Sequence, residues 1–167
     1  MRAAAKRARP APVVDVMVDS ALWRGEPGAE ALLHRAIGEA AAVAGAPADA
    51  ELAIVLADDA AIRSLNARWR GRDEPTNVLS FPAGAPATGT TLLGDIVIAY
   101  ETTAREAQSE GKPLADHLAH LAVHGFLHLL GYDHAADDEA ETMERLECTI
   151  LARLGIADPY APRETQT

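Results

Sequence analysis

The sequence holds a single cysteine, Cys148. That excludes an internal disulfide framework and a C-x-x-C pair, and it fits a reducing cytoplasm. Long apolar runs are missing too. No stretch of the sequence approaches the ~20 residues that span a bilayer, so no membrane partner is expected. Aromatic residues make up only 4% of the chain, which leaves few side chains to stack on bases. Positive charge is also short: 15 Lys and Arg stand against 25 Asp and Glu, for a net charge of −10. Diffuse, non-specific nucleic-acid binding is disfavoured on such a chain, and only a focused basic patch would serve there.

The remainder is ordinary globular composition, and 167 residues suit one domain. The basic start, MRAAAKRARP, has no apolar segment. Residues 1–11 are therefore expected as a disordered tail, 12–156 as the folded domain and 157–167 as a C-terminal tail.

Along the chain, short β-branched or apolar runs alternate with helical patterns. PVVDVMVD and AELAIVLA read as strands, the second buried. Between them, Leu33, Ile37 and Ala41 repeat at four over Gly28–Ala44, a helix ended at Gly45. Asp58 or Asp59 caps the next helix, Ile62, Leu65 and Trp69 line its inner face, and Gly71 stops it. PTNVLSFP, fenced by prolines, reads as a strand near a sheet edge. A flexible loop, Ala83–Thr91, leads to the strand Leu92–Tyr100. Glu101–Glu110 is a polar helix. Pro113–Leu130 is a second one, apolar on every side from Leu121 onward and so buried. A last helix begins at Asp137 or Asp138, with Met143, Leu146, Ile150 and Leu154 as its stripe. The class is α/β or α+β, a small sheet covered by helices.

The densest signal is HGFLHLLGYDH, residues 124–134. Four residues make just over one helical turn, so His124 and His128 point the same way. Gly131 can break the helix and let His134 return to the same point. Three neutral imidazoles leave zinc an open fourth position, the catalytic rather than the structural arrangement. Water at such a position loses its proton near pH ~7. The rival set, His120, His124 and His128, strings its ligands along one helix face, where convergence on a point is poor. His117 and His120 are otherwise expected behind the ligands or at the surface. His34 has no partner in sequence. Imidazoles also accept nickel, copper or iron. The spacing further matches the metzincin peptidase pattern H-E-x-x-H-x-x-G-x-x-H, except that Gly125 stands where those enzymes carry their general base.

Taken together, these residues resemble the YbeY family of bacterial endoribonucleases, also called rRNA maturation factors. HGFLHLLGYDH resembles the family signature H-G-x-L-H-L-x-G-Y-D-H at every fixed place. RGRDEPTNVLSFP (Arg70–Pro82) and GDIVI (Gly94–Ile98) resemble two further motifs in the right order. The likeness runs from about Val13 to Leu154. It implies an α+β fold, with a small mixed four-stranded sheet covered by helices and a metal site at the end of a buried helix. It implies one zinc ion per chain, held by His124, His128 and His134. It also implies cleavage of single-stranded RNA, a role in maturing the 3′ end of small-subunit rRNA and in ribosome quality control, and contact with the ribosomal small subunit and its proteins. The family's functionally important arginine corresponds to Arg70.

Arg63, Arg68, Arg70 and Arg72 cluster at one helix end, where cations also simply suit the helix dipole. By resemblance, Arg70 is the one expected to clamp a phosphate. Trp69, Phe81 and Tyr132 could stack on bases, but each is expected in the core. The expected reaction is metal-assisted phosphodiester hydrolysis, with water or the RNA's own 2′-hydroxyl as nucleophile. Asp133 is the first choice of general base and Asp95 the second; either can instead serve a structural role. Two other readings stay open: a metallopeptidase-like zinc hydrolase, and a non-catalytic ribosome assembly factor with a structural metal.

Overall fold

The computed structural model describes residues 11–47, 49–84 and 91–161. Residues 1–10 of the expected 1–11 tail and most of the loop after Gly84 lie outside the described residues, as do residues 162–167. Four strands form one sheet: β1 (Val13–Val18), β2 (Glu51–Ala57), β3 (Val78–Pro82) and β4 (Leu92–Ala99). Their order is β1-β2-β4-β3. β2 runs parallel to both β1 and β4, and β3 runs antiparallel to β4. The sheet is therefore mixed, and the proline-fenced strand takes an edge, where a missing N–H costs least.

Five helices follow the sequence pattern closely. They are α1 (Ala29–Ala44), α2 (Asp59–Arg70), α3 (Tyr100–Ser109), α4 (Leu114–Leu129) and α5 (Asp137–Arg153). Asp58 caps α2 by accepting from Ala61 N–H at 2.8 Å. Gly45 and Gly71 close α1 and α2 with φ of 78° and 69°, a conformation that favours glycine. One element went unpredicted, a 3-10 turn at Ala21–Gly25. It is too short to leave a periodic pattern. Ser20 caps it, and it buries Trp23, whose indole N–H donates to the Ala57 carbonyl at 2.8 Å.

The period of two along the strands splits the core. Leu52, Ile54, Leu56, Ile96 and Ile98 face one way and pack with α1, α4 and α5 in the large cluster. Ala57, Val97 and Ala99 face the other way and pack with Ile62 of α2 in a small one. α4 lies at the centre of the thick side, with Phe126 and Leu127 fully buried. Burying two leucine- or phenylalanine-sized side chains stabilises the fold by roughly 3–6 kcal/mol. That packing anchors the helix whose end carries the histidines.

Candidate metal centre

His124 and His128 project from the last turns of α4 with their ring centroids 4.6 Å apart. The helix runs out at Leu130, and Gly131 turns the chain at φ 100°. The chain then comes back past the helix end, and the His134 ring lies 5.7 Å from His124 and 5.1 Å from His128, centroid to centroid. One ligand nitrogen from each of the three rings lies within 4.8 Å of the others.

The hydrogen bonds of these rings favour a cation there. His124 Nδ1 lies 2.7 Å from Glu147 Oε1. His128 Nδ1 lies 2.9 Å from the Tyr132 carbonyl oxygen. Both partners only accept, so each Nδ1 carries the ring proton. In a neutral ring, Nε2 is then a bare lone pair. These two lone pairs point at each other across 3.1 Å. Left alone they repel; a shared cation turns the repulsion into attraction. Zinc at tetrahedral geometry imposes about 3.3 Å between ligand nitrogens, close to this spacing. His128 is also held neutral: burial, then the neighbouring His124, pushes its pKa below the ordinary value. The donor set of three imidazoles suits zinc.

Glu147 is the residue that sequence reasoning missed. It sits on α5, is 1% exposed, and accepts from His124, His120 and Tyr160. Burial pushes its pKa up, but hydrogen bonds from His120, His124 and Tyr160 outweigh that and bring it down to about 2. Its carboxylate therefore stays ionised and fixes the His124 tautomer, the usual task of a carboxylate behind a metal ligand. A signal existed in the sequence. Met143, Glu147, Ile150 and Leu151 share the buried side of α5, so a charge stood on an apolar stripe.

His120 does not join the ligands. Its Nε2–H donates to Glu147 Oε2 at 2.7 Å. His117 is not a surface group either. It is 4% exposed, and it hydrogen bonds Glu106 Oε1 at 3.0 Å. Gly125 has its own reason. A Cβ there would lie 3.0 Å from both Ile96 Cγ2 and Ser80 Oγ. α4 lies so close to the sheet that any side chain here would require these neighbours to shift by a few tenths of an ångström.

A cavity of about 540 Å³ opens in front of the histidines. Arg70, Asn77, Ser80 and Asp133 share its lining with His124, His128 and His134. Arg70 is the last residue of α2, and its Nη2 donates to the Ser80 carbonyl on β3 at 3.0 Å. That bond turns a helix-end cation toward the metal site. Two other arginines of the cluster are used elsewhere: Arg63 pairs with Asp73 at 2.9 Å, and the Arg68 guanidinium lies 5.2 Å from the Trp69 ring centre.

Asp133 is exposed at the cavity, and its Oδ1 accepts the His134 backbone N–H at 2.7 Å. Asp95 shares a sheet face with Val97, away from the histidines. It lines a second, more apolar cavity of about 580 Å³ with Trp69 and Phe81. As a general base it is out of place. Trp69 also departs from expectation: it is 61% exposed, at the rim of that cavity, and it meets Phe81 edge-on at 6.5 Å. Arg70, Ser80 and Pro82 line both cavities, which thus meet at the β3 edge. Among the described residues, no helix is long and apolar enough to cross a membrane.

Comparison with known proteins adds to this geometry. A family model described as Endoribonuclease YbeY matches residues 24–155. A protein named Endoribonuclease YbeY from Nitrobacter hamburgensis is 59% identical over 160 residues, covering 92% of this chain and 84% of the relative. Its namesake from Nitrobacter winogradskyi is 60% identical over 164 residues, covering 93% and 86%. One from Rhodopseudomonas palustris is 57% identical over 159 residues, covering 92% of each. The solution structure of TM1509 from Thermotoga maritima matches at a TM-score of 0.48 and 21% identity, over 90% of this chain and 100% of that one.

Proposed function

Since the chain belongs to the endoribonuclease YbeY family, we propose that it is a zinc-dependent endoribonuclease that cuts single-stranded RNA. The observation that carries this reading is the approach of His124 Nε2 and His128 Nε2 to 3.1 Å, opening on a cavity that Arg70 also lines. His124, His128 and His134 would hold the ion. When bound, it supplies Lewis acidity toward water and phosphate oxygen.

The remaining chemistry belongs to the chain. Glu147 and the Tyr132 carbonyl hold two imidazoles in the ligating tautomer. Arg70, a permanent cation, grips a non-bridging phosphate oxygen and stabilises the charge that grows as the nucleophile adds. Asp133 at the cavity takes the nucleophile's proton as general base. The bond from phosphorus to the leaving sugar oxygen breaks, and that oxygen takes a proton from solvent. The nucleophile is water or the 2′-hydroxyl, and an RNA carrying one 2′-deoxy nucleotide at the cut distinguishes them.

Trp69 and Phe81, beside Arg70, offer the aromatic surface that an unpaired base can use and a duplex cannot. That favours single strands. A role in small-subunit rRNA maturation and ribosome quality control in the cytoplasm, in contact with the small subunit, follows from the family reading.

The test is cleavage of end-labelled single-stranded RNA, with its duplex as control. Wild-type protein should cut the single strand; chelated protein, His124→Ala and Arg70→Ala should cut it far more slowly. Binding without cutting would favour the assembly-factor reading. Full cleavage by His124→Ala would remove the metal from the mechanism.

A further inference from the structure

Behind the metal ligands lies a second polar cluster, of which the cleavage chemistry above uses only Glu147 and not His120 or Tyr160. Its centre is the buried Glu147 carboxylate. Oε2 accepts from His120 Nε2–H at 2.7 Å and from the Tyr160 hydroxyl at 2.5 Å. Oε1 accepts from His124 Nδ1–H at 2.7 Å. The donors come from three places: α4, the same helix one turn on, and the chain beyond α5.

That last segment is folded back with care. Ile156 N–H donates to the Leu151 carbonyl at 2.9 Å. Asp158 Oδ1 accepts from Tyr160 N–H at 2.8 Å and from the Cys148 thiol at 3.1 Å. The Tyr160 ring then meets His120 edge-on, at 5.7 Å and 87°. Its ring is 45% exposed, so burial of apolar surface is not the main reason it docks. The hydroxyl contact is.

A carboxylate has two equivalent oxygens and can turn about its own axis. With Oε2 occupied twice, only Oε1 remains for His124. We propose that Tyr160 and His120 are positioning residues for the metal centre, acting through Glu147 to give the His124 ring one acceptor and one direction. This rests on the metal-centre reading above. It makes the docking of residues 156–161 part of the metal site, although Tyr160 lies outside the cavity. Linkage then runs both ways: if docking strengthens zinc binding, zinc binding strengthens docking by the same factor.

The experiment measures zinc affinity of the full chain by competition with a chromophoric chelator. It compares wild type, Tyr160→Phe, Glu147→Gln and the double variant, with His124→Ala as reference. Losing a carboxylate behind a ligand weakens metal binding by about 10–100-fold, expected here for Glu147→Gln. Losing one hydrogen bond to that carboxylate is worth roughly three- to tenfold, expected for Tyr160→Phe. The double variant should bind no more weakly than Glu147→Gln, because Tyr160 has nothing left to act through. Hydrogen exchange of the amides at 156–161 should slow when zinc is added to wild type, and not when it is added to Tyr160→Phe.

Tyr160→Phe that melts earlier yet binds zinc as tightly as wild type would overturn the proposal and leave Tyr160 a structural strap. Losses that multiply in the double variant would also overturn it. If Glu147→Gln does not fold, Tyr160→Phe against wild type still decides. Wild type that binds zinc no better than His124→Ala would instead sink the metal centre itself.

Discussion

Two helices run out at the same cavity, and they are built in opposite ways. α4 buries ten of its sixteen residues before delivering His124 and His128. α2 buries two of its twelve, Ile62 and Asn66, before delivering Arg70. Each is followed by a glycine at positive φ, Gly131 at 100° and Gly71 at 69°. On the proposed function, the difference follows from what each end would hold. Ligand nitrogens must meet within a few tenths of an ångström, so their helix is packed on every side. A cation that meets a flexible polyanion needs reach and solvent access, so its helix lies on the thin side of the sheet.

The contrast breaks most sharply at His124. His124→Ala should remove stoichiometric zinc and slow RNA cleavage by more than about 10³-fold, measured by elemental analysis and single-turnover cleavage. Arg70→Ala should slow cleavage by roughly 10²–10³-fold while zinc content stays at wild-type level. If Arg70→Ala also lost the metal, the two helix ends would not be separate parts.

Trp69→Ala sharpens the thin side further. Loss of one stacked base is worth about 1–3 kcal/mol, so KM for single-stranded RNA should rise roughly tenfold or more. At 61% exposure the ring contributes little to the core, and Tm should barely move. An unchanged KM would remove Trp69 from the RNA path.

The smallest effect belongs to the packed helix alone. Burial, only partly offset by Glu106, holds His117 below its ordinary pKa. As pH falls below about 6.5, the unfolded chain takes up this proton before the folded one does. His117 therefore contributes stability at neutral pH that declines as pH drops toward its folded pKa. Metal-free wild type should lose Tm between about pH 7.5 and 5.5 more steeply than His117→Gln does. Parallel slopes would mean that His117 is as readily protonated in the fold as outside it.

The same contrast explains what could be read from the sequence. The convergence of His124, His128 and His134 was legible because it is local: four residues, a glycine and three more put them at one point. Helix and strand spans were legible because periodicity and glycine stops are local too. Glu147 was not. It lies 23 residues from His124 along the chain, and only the packing of α5 on α4 joins them. The fate of Trp69 was hidden for a related reason. Its place on the apolar stripe of α2 points inward, but an open cavity separates it from the sheet residues it faces. Asp95 needed strand parity and helix placement together, since one residue along β4 exchanges the histidine face for the α2 face.

The most direct measurement is an anomalous difference map from crystals grown without chelator, at the absorption edge found by a fluorescence scan. One peak per chain is expected, within bonding distance of Nε2 of His124, Nε2 of His128 and a ring nitrogen of His134. A map with no peak, or with its peak away from these three rings, would contradict the account.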